Sequence, residues 1–137
     1  MKRYVIDASV VLVGILESRK GLVEKTRSLF LMAKEDGCEL ISSQFLKIEV
    51  SNGIRFNERD VDKANRLLNG FFNLPINFVS LSKSLYEQSL SSSYKLGTTV
   101  YDTSYHILAK AQGATFLTCD EEYYKKAKSI GDIELLG

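Results

Sequence analysis

A chain of 137 residues, 45% hydrophobic and 26% charged, has the size and composition of one globular domain. It can bury roughly 70% of its unfolded surface, so it needs no disulfide or metal staple to fold. A net charge of +1 excludes a bulk basic field for nucleic acid, and the two cysteines, Cys38 and Cys119, lack zinc-ligand spacing and suit a reduced cytoplasmic chain.

Lys2 and Arg3 precede only a short apolar run, broken by Asp7, so neither a signal peptide nor a membrane span is expected. Residues 4–6 read as a first strand that ends in Asp7, with a helix opening near Ser9. Residues 22–34 carry apolar Leu22, Leu29, Phe30 and Ala33 among charges, a helix ended by the Asp36-Gly37 turn. Leu40 and Ile41 form a short strand, and Ser43 is placed to cap a helix over 45–56. A helix over 59–71 stops before Leu74-Pro75. A strand at 77–79 precedes a helix over 81–94, closed by Gly97. A helix over 100–112 stops at Gly113. A strand at 114–117, a helix over 121–128 and a last strand at 133–135 complete the chain. No internal repeat or linker divides it, so residues 1–137 read as a single domain. Strands alternating with helices imply an α/β fold, with a central parallel sheet of four or five strands covered on both faces. In such sheets, sites form beyond the carboxyl ends of the strands, near a topological switch point.

Four acids fall where that rule directs attention. Asp7 ends the first strand and Asp120 follows the strand at 114–117, although either can simply cap a helix. In "TCDEEYY" the two glutamates also favour the helix dipole. Asp102 stands third after Thr99, a capping pattern, and at 100° per residue it lies near His106 on the polar edge. On the wheel of its helix Glu49 falls between Phe45 and Leu46, near Gly53 and Phe56, with Lys47, Ser51 and Arg55 opposite. A carboxylate on an apolar face needs compensation, because burial disfavours its ionised form. A partner Arg or Lys would serve, and so would a metal ion. Asn52 shares that side and could hold the carboxylate or a water. Close carboxylates repel by roughly 4 kcal/mol per pair at an effective dielectric near 20. Mg²⁺ or Mn²⁺ with oxygen ligands are the natural occupants of such a cluster, whereas zinc would want His or Cys.

The stretches "VIDASVVL", "FLKIEVSNGI" and "VYDTSYHILAKAQGATFLTCD" resemble the PIN-domain family and, within it, the VapC-type toxin ribonucleases. The resemblance spans almost the whole chain. It implies a three-layer α/β/α fold, often homodimeric, and a Mg²⁺- or Mn²⁺-dependent endoribonuclease neutralised by a VapB-type antitoxin. Carried onto this sequence, Asp7, Glu49, Asp102 and Asp120 match the family's acidic metal-binding and catalytic quartet, and Ser9 and Thr118 match polar positions that assist it. RNA phosphates need cations near these acids, and Arg19, Lys20 and Lys47 are the candidates. No redox role is assigned to Cys119. His106 and the tyrosines of "EEYYKK" are expected to pack rather than to act on RNA. Two rival readings are a degenerate PIN module that binds RNA or protein without cleavage and a receiver-like Mg²⁺-binding signalling domain. The second lacks the paired acids at the first strand's end and the lysine near the last strand. The dehalogenase-type phosphatase pattern Asp-x-Asp is denied by Asp7-Ala8-Ser9.

Overall fold

The computed structural model describes residues 1–137. Five strands, β1 (Lys2–Ile6), β2 (Cys38–Ser43), β3 (Ile76–Val79), β4 (Thr115–Thr118) and β5 (Ile133–Leu135), form one sheet in the order β3-β2-β1-β4-β5. All pairings are parallel. Seven α-helices connect them: α1 (Ala8–Leu16), α2 (Lys20–Lys34), α3 (Phe45–Asn57), α4 (Val61–Phe72), α5 (Lys83–Leu96), α6 (Val100–Ala111) and α7 (Glu121–Ala127). The chain steps outward from β1 to β3 and then returns across the sheet to β4. Right-handed crossovers therefore put α1–α4 on one face and α5–α7 on the other. In agreement, α1 packs on α2, α3 and α4, while α6 packs on α5 and over β1, β2 and β4. The order also corrects the receiver-like alternative, whose doubly wound sheet runs 2-1-3-4-5.

Central strands covered on both faces lose the alternation of polar and apolar residues. Val5 and Ile6 are both fully buried, and Val5 pairs with Ile41 on one side and Phe116 on the other. The core joins these to Val10 and Val11 of α1, Leu46 and Val50 of α3, and Tyr105 and Leu108 of α6. On α3 the apolar stripe is Leu46, Val50 and Ile54, at intervals of four. Gly53 lies beside it: a Cβ there would run into the Leu12 side chain, so the missing side chain lets α3 approach α1 closely.

The sequence expectations for the elements hold within two residues at most ends, with differences at the caps. Ser82 and Asp60, rather than Leu81 and Arg59, open α5 and α4, each accepting from the backbone three residues on. Ser43 does not cap α3: it ends β2, its hydroxyl is buried, and no side-chain cap is made at Gln44. At the Asp36-Gly37 turn the left-handed residue is Asp36 (φ 60°), whereas Gly97 and Gly113 take that conformation after α5 and α6.

Candidate functional site

The switch point lies between β1 and β4, which run side by side while their connections leave in opposite directions. Asp7 stands at the end of β1, only 7% exposed, and accepts at 3.3 Å from Val10 N as the N-cap of α1. Capping is only part of its bonding. Ser9 donates to Oδ1 at 2.5 Å and Thr118 donates to Oδ2 at 2.6 Å. Each hydroxyl then accepts from the backbone of the β4–α7 turn, Ser9 from Cys119 N (2.9 Å) and Thr118 from Asp120 N (3.1 Å). Both hydroxyl protons are thereby committed to Asp7. The result is a clamp that ties the end of β1 to the end of β4 and fixes the carboxylate.

The other three acids come from three more elements. Glu49 lies on the second turn of α3, half-buried, and accepts at 2.5 Å from Tyr105 Oη of α6. Asp102 lies in the first turn of α6, where Thr99 caps its amide at 3.2 Å. Asp120 opens α7 and accepts from Tyr123 N at 3.0 Å. The two Asp caps expected from the sequence are present, and the same residues interact through charge with Asp102.

Charge connects the set through Asp102. Burial pushes the Asp7 carboxyl up from its ordinary 3.8 to about 6, against its three hydrogen bonds, with the Asp102 charge adding to the rise. Burial raises Glu49 as well, opposed by the Tyr105 bond and helped by Asp102. Asp102 is raised by burial and then by Asp120. None of the six ion pairs in the molecule involves any of the four acids. An Arg or Lys partner for Glu49, one of the two compensations considered from sequence, is thus not what the fold supplies. No three His, Cys, Asp or Glu side chains close to within ligating distance of a common point. The donor set itself is all oxygen and fits a hard divalent cation.

Several residues sit elsewhere than expected. His106 is not on a polar edge: it is fully buried, with Nε2 at 2.6 Å from the Gly131 carbonyl and Nδ1 at 2.8 Å from Tyr123 Oη. A carbonyl only accepts, so Nε2 carries the proton, Nδ1 accepts from the tyrosine, and burial lowers the imidazole's affinity for a second proton. Both His106 and Tyr123 are packed and hydrogen-bonded inside the fold. Asn52 is exposed on the rim of the concavity that holds Glu49, whose carboxylate is held by Tyr105 instead. Phe56 is 75% exposed and forms no part of an apolar seat for Glu49. Lys47 lies over the Phe78 ring, 4.6 Å from its centroid. Arg19 donates to the Cys119 carbonyl at 3.0 Å, directly beside Asp120. Lys20 is exposed at the start of α2. The Cys119 thiol, buried near Asp7, is pushed up to about 11, mainly by burial.

Two residues escaped the sequence reading. Tyr105 is buried between Glu49 and the Phe116 ring, and burial together with Glu49 keeps its phenol protonated as a donor. Its signal was available: it lies three positions after Asp102, on the same side of α6. Arg55, placed opposite Glu49 on an ideal wheel, lines the same concavity with its long side chain.

The PIN-domain family model matches residues 4–129. No curated protein matches the chain in sequence. Among solved structures, the fold is similar to VapBC2 from Rickettsia felis bound to a DNA fragment from their promoter. That match has a TM-score of 0.71 and 16% identity, and covers 98% of this chain and 99% of that one. It is similar also to DNA-bound VapBC from Salmonella typhimurium (0.69, 17% identity, all of both chains). A third likeness is to Mycobacterium tuberculosis VapC20, a sarcin–ricin loop cleaving toxin (0.67, 11% identity, 98% and 99% covered). At these identities the likenesses speak for the fold, and the family model, covering nearly the whole chain, speaks for descent. The chain belongs to the PIN-domain family.

Proposed function

We propose that the chain is a Mg²⁺- or Mn²⁺-dependent endoribonuclease, the toxin of a VapBC-type toxin–antitoxin pair, with Asp7, Glu49, Asp102 and Asp120 as its metal-binding and catalytic acids. One observation carries the reading. Four carboxylates come from four separate elements around the switch point, the Asp102 charge raises Asp7 and Glu49 while the Asp120 charge raises Asp102, and no cationic side chain pairs with any of them. Such a cluster stores repulsion that a hard cation would relieve.

The residues divide the work. Asp7 is the fixed member, clamped by Ser9 and Thr118. Glu49, Asp102 and Asp120 are half-buried side chains carried by α3, by the first turn of α6 and by the residue that caps α7. Tyr105 holds Glu49 toward the others. When bound, Mg²⁺ or Mn²⁺ would supply a water of lowered pKa and stabilise charge on the phosphate and the leaving oxygen. Arg19, beside Asp120, and Arg55, beside Glu49, are placed to contact RNA phosphates that the acids alone would repel. The likeness to toxin–antitoxin complexes supports a VapB-type antitoxin as partner, and the family's habit supports a homodimer.

The test is cleavage of structured and single-stranded RNA with Mg²⁺ or Mn²⁺, with EDTA, and with Asp102→Asn. Cleavage that stops in EDTA and in the variant is expected. Full activity in EDTA would overturn the metal mechanism. RNA bound but left intact under every metal condition would leave a binding module.

A further inference from the structure

A second cavity, of about 230 Å³, adjoins the acids. It opens between the start of α3, the β3–α5 connection at Ser80 and Leu81, and the first turn of α6. Ser43, among the residues lining it, is 1% exposed, and its Oγ is the one buried side-chain polar atom in the protein without a hydrogen-bond partner. Phe45 and Tyr101 form one wall, their rings stacked at 5.2 Å and 10°. Tyr101 is 61% exposed and Tyr86, also lining the cavity, is 56% exposed. Ser80, Ser104 and Gln44 add polar atoms, and no lining residue is charged.

The Phe45–Tyr101 stack is shared. Its other side borders the concavity of Glu49, Asn52 and Arg55, and Asp102 follows Tyr101 in the chain. The stack is therefore a ridge, with carboxylates on one side and an uncharged, aromatic-walled recess on the other. A phosphate or a metal ion has no counter-charge in that recess. An aliphatic side chain from a protein partner would cover the polar groups of Ser80, Ser104 and Gln44 without pairing them, at a cost. An unpaired nucleobase suits the recess: its flat face stacks on an exposed tyrosine, and its polar edge meets the uncharged polar groups of Ser80, Ser104 and Gln44 that line it.

We propose that this recess takes the base of a nucleotide flanking the scissile phosphate and so helps to set where an RNA strand is cut. The placement relative to the cut rests on the nuclease reading above, whereas base binding stands on the recess itself. Two measurements separate them. The first sequences the ends cut from a randomised single-stranded RNA pool. The second follows the fluorescence of 2-aminopurine, moved through a short single-stranded RNA, which is quenched when the base stacks.

The expected result is a base preference at one position flanking the cut and quenching at a matching position. Tyr101→Ala should weaken binding about tenfold, the order of one lost base–aromatic stack, and abolish the preference. Ser80→Ala should weaken binding several-fold while the melting temperature holds, since only an exposed hydroxyl lining the recess is removed. Quenching that depends on Tyr101 in a protein that cuts no RNA would uphold the base site and remove the nuclease reading. Cutting, preference and affinity unchanged in both variants would overturn the recess and leave the nuclease reading intact. Absence of quenching at every position overturns the recess too. So does a homodimer that dissociates in Tyr101→Ala and Tyr86→Ala with RNA affinity unaltered, which would make the recess a protein interface.

Discussion

Replacing Asp7 by Asn should stabilise the metal-free fold, because the native carboxylate is ionised at neutral pH in a place that resists charge. Its pKa rises from 3.8 to about 6 on folding, mainly through burial. That rise corresponds to about 3 kcal/mol of folding stability. The sign follows from linkage: a group whose pKa is raised on folding contributes fully below its unfolded pKa, near 3.8, and loses that contribution as pH climbs through about 6. At pH 7 the wild type bears the whole cost. Asn keeps the shape and the cap to Val10, since Asn caps about as well as Asp. It replaces one acceptor oxygen by an NH₂, so Ser9 and Thr118 must redirect a proton between themselves across 3.3 Å, a loss of roughly 1 kcal/mol. The net gain at pH 7 is about 1–2 kcal/mol, or roughly 3–8 °C in melting temperature for a domain this size. Thermal melts of both proteins in EDTA, from pH 4 to pH 7.5, measure it. The advantage of the variant should shrink as pH falls and vanish near pH 4. With saturating Mg²⁺ the order should reverse, since binding at a hundred times the dissociation constant adds about 2.7 kcal/mol to the wild type only. A variant no more stable than wild type at pH 7, with a pH-independent difference and an equal response to Mg²⁺, would show that Asp7 is a helix cap and nothing more.

Tyr105→Phe removes only the hydroxyl that holds Glu49, and should weaken Mg²⁺ or Mn²⁺ about tenfold, as loss of a ligand-orienting bond typically does, with the fold intact by circular dichroism; unchanged affinity in a metal titration would mean that Glu49 needs no holding. His106→Ala removes a buried ring and the hydrogen bond to Tyr123 Oη, opening a cavity in the core, and should cost roughly 2–4 kcal/mol by urea melts, while RNA cutting at low temperature stays largely intact; loss of cutting in a fully folded variant would place His106 in the chemistry. Gly53→Ala forces Leu12 aside at the α1–α3 contact and should lower stability by roughly 1–3 kcal/mol, so a melt equal to wild type would show that the contact is slack.

Much of the molecule follows from its residues alone, because the interactions responsible are local. The helix over α6 is written in its Thr99 cap and Gly113 stop, and β1 in an apolar run with Asp7 at its lip. Alternation of strand and helix settles a parallel sheet, and a parallel sheet settles that Asp7 and Asp120 lie at the same edge. What one helix wheel could not settle was the environment of each position. α6 lies across three strands with residues on every side of it buried, so His106 has no polar edge to occupy. Glu49 sits beside the apolar stripe of α3, and only the assembled fold, with α3 and α6 on opposite faces of one sheet, brings the Tyr105 hydroxyl of α6 to its carboxylate. Ser43 looked like a cap because serine before a helix usually is one, but the ladder to β3 claims its backbone and leaves its hydroxyl buried without a partner. Local sequence determines which elements form and where they end. Which carboxylates share a field, which hydroxyls fix Asp7 and which polar atom is left unpaired depend on contacts between residues up to 111 positions apart, and only the tertiary fold creates those contacts.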